Sequence, residues 1–301
     1  MTHHTYKGIF PILYTFFNED GSIDKAAMKR QVDVCINAGA HGIVILGIVG
    51  EFDKLNVNEK RNITEIVAEA INGRVPLAVT VSEPSVPGQI EFMRAAEQIG
   101  ADWTILQPPQ LKGIPEIEII RFFGAIAEHA TKPVALQNNP VNLNVWLTNE
   151  SLKTVNRNHP NVNILKGEGP IPVVHKLMEE TDGVFDVFTG LGGREMTLTH
   201  ALGCVGCIPA PDCIDIQCRM FELLDAGDKD GLKEAELIHQ SILPMIQFAL
   251  HSSAHMLTYG KQMFAWRAGI KSVHPRAPAI APNPYNLGLA KSFVQALPSL
   301  D

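Results

Sequence analysis

Lys166 and Glu168 stand two residues apart at the end of an apolar run, Asn161-Val-Asn-Ile-Leu-Lys-Gly-Glu-Gly-Pro170, which stops at glycine and proline. Read as a β-strand, the run has a period of two that puts Ile164, Lys166 and Glu168 on one face. An ammonium and a carboxylate then point the same way at the strand's carboxyl end. Apolar surroundings favour the neutral amine of a lysine, and only that form attacks a carbonyl carbon to make a Schiff base. A solvated ion pair on an edge strand would use the same two residues, so the elements around them must decide between the two readings.

Those elements alternate. From residue 8, short apolar, β-branched runs at 8–17, 41–47, 75–82, 103–109, 133–139, 162–168, 185–190 and 204–209 read as strands. Longer amphipathic runs separate them; in the first, Met28, Val32, Cys35 and Ile36 share a helical face. Eight strand–helix units with nearly all-apolar strands predict an α/β fold, a (β/α)8 TIM barrel over residues 1–225. A doubly wound open sheet would need a glycine-rich phosphate loop after the first strand, and Tyr14-Thr-Phe-Phe-Asn-Glu-Asp-Gly21 is not one. Beyond residue 225 strand signals cease, and helical runs at 232–250, 257–268 and 287–297 predict a small C-terminal helical domain, residues 226–301.

Composition narrows the partners. With 301 residues, 46% hydrophobic, the chain can bury a large core, and a net charge of −7 with a pI near 5.9 offers no basic field for nucleic acid or an anionic membrane. A small-molecule partner fits better. No apolar run is long enough to span a bilayer, and Met1-Thr-His-His-Thr-Tyr-Lys7 lacks the apolar segment of a signal peptide, so a cytoplasmic location is expected. The five cysteines, Cys35, Cys204, Cys207, Cys213 and Cys218, are too few for a disulfide framework. Cys204-Val-Gly-Cys207 resembles half a zinc or redox site, but no ligand spacing completes it, and buried thiols are the expectation.

In a barrel the chemistry lies at the carboxyl ends of the strands. The polar groups there are few: Ser82, the amides Gln107, Gln137, Asn138 and Asn139, the Lys166–Glu168 pair, and glycines at 47, 50 and 190 that can expose backbone N–H groups to an anion. Gly47-Ile-Val-Gly-Glu51 reads either as a carboxylate cradle or as a plain tight turn, with Glu51 capping the next segment. No His, Asp and Glu cluster suited to a metal occurs among these tips.

The pattern resembles the Schiff-base-forming aldolases and lyases typified by dihydrodipicolinate synthase and N-acetylneuraminate lyase. Gly47-Ile-Val-Gly-Glu51 falls where that family has Gly-Thr-Thr-Gly-Glu, Gln137-Asn-Asn-Pro140 where it has Tyr-Asn-x-Pro, and Leu165-Lys166 on its Schiff-base lysine. Gly203 to Gly206 and Arg276 with Pro278 match further family positions. The resemblance implies a barrel with C-terminal helices, a homotetramer, a small 2-oxo acid substrate, and no cofactor or metal. It implies substrate contacts at Gly47, Ile48, Val49, Gly50, Ser82, Gln137, Asn138, Gly190 and Pro209, with Lys166 and Glu168 catalytic.

The departures are informative. The two threonines are replaced by Ile48 and Val49, the proton-shuttling tyrosine by Gln137, the paired tyrosines by Pro109 and Gln110, and an arginine that binds a second substrate by Asn142. A lysine-biosynthetic role is therefore not expected. Lys166-Gly-Glu168 is similar instead to the 2-keto-3-deoxy-L-arabonate dehydratase branch, which also lacks the tyrosine. The expected activity is a carbon–oxygen lyase that dehydrates a 2-keto-3-deoxy sugar acid, with a pyruvate-dependent aldolase and a non-catalytic 2-oxo acid-binding protein as alternatives.

Overall fold

The computed structural model describes residues 6–111, 113–143 and 145–300. The opening residues on which the leader expectation rests lie largely outside these. Eight parallel strands run in the order β1-β8-β7-β6-β5-β4-β3-β2, and the ends of this sheet meet through a parallel bridge from Ile12 to Val44, with Leu13 N–H donating to the Val44 carbonyl at 2.9 Å. The result is the (β/α)8 barrel that the alternation predicts.

The strands are β1 (Gly8–Ile9), β2 (Ile43–Ile45), β3 (Leu77–Val81), β4 (Trp103–Leu106), β5 (Val134–Asn138), β6 (Val162–Gly167), β7 (Asp186–Thr189) and β8 (Gly206–Cys207). Regular pairing in β1 is shorter than the apolar run because Pro11 has no N–H to donate. The intervening helices are α1 (Lys25–Asn37), α2 (Val57–Ile71), α3 (Val86–Ile99), α4 (Glu116–Ala127), α5 (Asn149–Asn158), α6 (Ile171–Glu180), α7 (Met196–Ala201) and α8 (Ile214–Ala226). Short polar side chains start several of them: Asp24 caps α1, Asn56 and Glu59 form a reciprocal capping box on α2, and Ser85 caps α3 ahead of Pro87.

The amino-terminal half of the barrel is plugged by aromatic rings. Phe10 and Phe188 meet edge to face at 5.2 Å, and Trp103 stacks on Phe188 at 5.7 Å. These rings fit because Gly42 and Gly206 carry no side chain; a Cβ at Gly42 would sit 2.0 Å from Phe10 and one at Gly206 would sit 2.7 Å from Phe188. Filling the floor confines any ligand to the carboxyl end.

After α8 the chain is helical: α9 (Lys229–Ala249), a continuous α10 made of Ser253–His255, a π-helical turn Met256–Gly260 and Lys261–Arg267, and α11 (Pro284–Gln295). This C-terminal part docks on the barrel through polar clamps. Lys261 Nζ reaches Glu51 at 2.7 Å, Arg267 reaches Asp215 at 2.8 Å, and Arg276 reaches Glu59 at 2.7 Å. Among the described residues, no helix is long and apolar enough to cross a membrane.

Candidate active site

β6 delivers the central pair as its parity requires. Lys166 lies beside Gln137 of β5 on one side and Phe188 of β7 on the other, and the ladder continues one residue past the strand, with Glu168 N–H donating to the Asn138 carbonyl at 2.9 Å. Lys166 and Glu168 therefore share a face, with Lys166 Nζ 3.6 Å from Glu168 Oε2. Both side chains are buried, 7% exposed each, which rules out the solvated edge-strand pair.

Two amides hold the carboxylate. Gln137 Nε2 donates to Glu168 Oε2 at 2.6 Å and Asn139 Nδ2 donates to the same oxygen at 2.8 Å. Gln107 at the tip of β4 then donates from Nε2 to Gln137 Oε1 at 2.8 Å. The other carboxylate oxygen, Oε1, lies over Gly190, where a Cβ would come within 2.0 Å of it. Gly190 is thus required by the position of Glu168.

Above the pair opens a cavity of about 250 Å³, lined by Ile48, Val49, Lys166, Glu168, Asn139 and Arg194 among others. The turn carrying Ile48 and Val49 is bounded by two non-glycine residues in left-handed conformation, Leu46 (φ 64°) and Glu51 (φ 56°). Glu51 caps nothing with its side chain; it is buried, with Oε1 accepting from Lys261 Nζ and Oε2 from Lys54 Nζ, each at 2.7 Å. This clamp fixes the turn. Among the described residues the N–H groups of Ile48, Val49 and Gly50 have no acceptor, which leaves them for an anion.

Two expected contacts lie elsewhere. Asn138 has the opposite parity to Gln137, and its side chain bonds both the N–H and the carbonyl of Leu147 (2.8 and 3.0 Å), bracing the loop after β5 outside the barrel. The residue that joins Glu168 is Asn139. Ser82 accepts from Lys60 Nζ at 3.1 Å beside Glu83, over α2 rather than in the cavity. Gly47 packs on Ile12, Gly50 receives the Thr15 hydroxyl on its carbonyl at 2.6 Å, and Pro209 falls between the cavity residues Ile208 and Ala210.

Five residues carry no role in the sequence reading. Gln107 is a strand tip that reaches the site only through Gln137, Arg194 follows a Leu-Gly-Gly loop after β7, and His251, Ser252 and Ser253 reach the cavity from the α9–α10 junction. Only the strand-end position of Gln107 carries a signal. All five cysteines are buried, and burial pushes the thiols of Cys204 and Cys207 up to about 12. Among the described residues no group of His, Cys, Asp and Glu could hold a metal ion.

Fold and site together define a barrel with a buried lysine and carboxylate at the end of its sixth strand. Residues 5–281 match the dihydrodipicolinate synthetase family, and the chain belongs to that family of Schiff-base lyases and aldolases. It is 29% identical over 244 residues to 4-hydroxy-tetrahydrodipicolinate synthase of Methanopyrus kandleri, covering 79% of this chain and 80% of that one. It is also 29% identical over 245 residues to YagE of Escherichia coli K12, a candidate 2-dehydro-3-deoxy-D-gluconate aldolase, covering 80% and 81%. The structure of YagE in complex with pyruvate superposes with a TM-score of 0.84 at 24% identity, over 97% of this chain and 99% of that one. Dihydrodipicolinate synthase of Thermotoga maritima gives 0.89 at 17% identity, again over 97% and 99%. These structural likenesses show the fold.

Proposed function

We propose that the protein is a Schiff-base lyase that dehydrates a 2-keto-3-deoxy sugar acid. The observation that carries this reading is the Lys166–Glu168 approach of 3.6 Å with Gln137, not a tyrosine, behind the carboxylate. Lys166 attacks C2 of the 2-oxo acid, and loss of water leaves an iminium. The substrate's C1 carboxylate takes the open N–H groups of the 48–50 turn. The cationic nitrogen acidifies C3–H, and Glu168 removes that proton to give an enamine. The enamine expels the C4 hydroxyl, which leaves as water with the proton that Glu168 has just acquired. Hydrolysis of the conjugated iminium returns Lys166 and releases an unsaturated 2-oxo acid.

Retro-aldol cleavage needs a base on the C4 hydroxyl. Gln137 cannot serve, having no titratable proton. An aldolase is nonetheless the second reading, because YagE carries that name at 29% identity. A cytoplasmic homotetramer remains part of the proposal, as does a division of labour in which residues 1–225 bear the chemistry and 226–301 close over it. The test is a set of 2-keto-3-deoxy acids incubated with the enzyme and analysed by mass. Products lighter than substrate by one water support the dehydratase, whereas pyruvate plus an aldehyde replaces it with the aldolase.

A further inference from the structure

The cavity contains a second cation that this chemistry does not use. Arg194 lines it on the side away from the 48–50 turn: that turn follows β2, Arg194 follows β7, and β1 and β8 stand between them around the barrel. Among the described residues its guanidinium has no carboxylate partner and no hydrogen-bond acceptor. The loop that presents it is specifically shaped: Leu191 is strained in the left-handed region at φ 50°, and Gly192 and Gly193 continue it at 63° and 74°, where glycine fits without cost. It is also pinned. Gln217 Nε2 donates to the Gly192 carbonyl at 2.8 Å, and His239 Nε2 lies 3.2 Å from the Gly193 carbonyl, both side chains being buried.

An unpaired guanidinium, held by a strained and braced loop above a reactive lysine, is a receptor for an anion. With the C1 carboxylate at the 48–50 turn and C2 on Lys166, the rest of the substrate chain runs toward β7. Ser252 and Ser253 add hydroxyls to the same cavity. We infer that Arg194 binds a second anionic group at the far end of the substrate. The substrate class is then a 2-oxo-3-deoxy-4-hydroxy acid ending in a carboxylate or phosphate, not in an alcohol. This inference rests on the Schiff-base lyase reading.

The experiment compares three such acids of equal chain length, ending in CH₂OH, carboxylate and phosphate ester, with wild type and Arg194→Gln. In the wild type one anionic end should raise kcat/KM by about 10- to 100-fold over the alcohol, the scale of a charged hydrogen bond, and should identify which anion fits. In Arg194→Gln the three ends should become equivalent. Borohydride trapping of pyruvate, which has no distal end group, reports that Lys166 is correctly assembled. End-group preference that is absent in the wild type or identical in the variant, with trapping intact, overturns the Arg194 assignment alone. Absence of trapping in the wild type removes the Schiff-base reading and this inference with it.

Discussion

Gln137 Nε2 lies 2.6 Å from Glu168 Oε2, and this one contact sets the direction of the amides behind it. An ionised carboxylate only accepts, so Gln137 must face it with its NH₂ group and turn its carbonyl to Gln107, whose Nε2 stands 2.8 Å away. Gln107 is not among the residues that line the cavity, so in the proposed chemistry it is a positioning residue that acts through Gln137. Gln107→Met should lower kcat roughly 10-fold, the worth of about one neutral hydrogen bond, while pyruvate is still trapped by borohydride. An unchanged kcat would mean that Asn139 alone orients Glu168.

Glu168→Gln should reduce turnover by about 10² to 10⁴, the usual range for a positioned acid–base group, and should still form the imine. Gly190→Ala tests the same point without touching the carboxylate, because the new methyl would displace Oε1. It should therefore reproduce most of the loss. Lys166→Ala should abolish both turnover and the borohydride adduct at an unaltered circular dichroism spectrum. Normal turnover by Glu168→Gln would return the proton transfer to some other group.

The Glu51–Lys261 pair predicts a link between stability and carboxylate binding. Burial pushes the Lys261 ammonium down from the usual lysine range, and the Glu51 charge opposes that shift. Lys261→Met would strand a buried carboxylate with Lys54 as its remaining partner, at a cost of about 3 kcal/mol. Urea denaturation should register this cost, and KM for the 2-oxo acid should rise because the 48–50 turn loses its clamp. Wild-type stability together with wild-type KM would show that Lys54 suffices.

Asp212 gives a prediction in pH. It is buried and accepts from the Tyr14 hydroxyl at 2.8 Å, and burial raises its carboxyl to about 6 against the lowering effects of Tyr14 and Arg267. The folded protein keeps this proton up to about pH 6, whereas the unfolded chain releases it near 3.8. Stability from this group is therefore greatest below that window and falls as pH rises through it, by about 3 kcal/mol for a two-unit shift. His41 and His200, both lowered chiefly by burial, act oppositely and lose stability as pH falls below 6.5. Thermal melts of wild type and Asp212→Asn between pH 4 and 7 separate the two effects. The difference in Tm should move against the wild type between pH 4 and 6, and a constant difference would refute the assignment.

The barrel was legible because β-branched apolar runs at a regular step leave few other ways to bury eight parallel strands. Lys166 and Glu168 were legible for a local reason, since a period of two acts within a single strand. Parity also separates Asn138 from Asn139, yet the expected run 133–139 did not say which amide faced inward until pairing with β6 set the register. Ser82 lies outside the cavity for a related reason: the chain turns after Val81, and Lys60 on α2 captures the hydroxyl. The Gln107–Gln137–Glu168 relay and the approach of Arg194 arise from contacts between strands and loops far apart in sequence, which no local pattern encodes.

Glu51 and Lys261 are 210 positions apart. During synthesis the barrel strands leave the ribosome well before the residue that locks their carboxylate turn, and Ser252 and Ser253 also arrive after the last strand. Ribosome-bound chains halted after residue 225, with β8 and α8 still inside the exit tunnel, should bind 2-oxo acids poorly. The clamp on the 48–50 turn therefore forms only after Lys261 has emerged, long after the strand that carries Lys166.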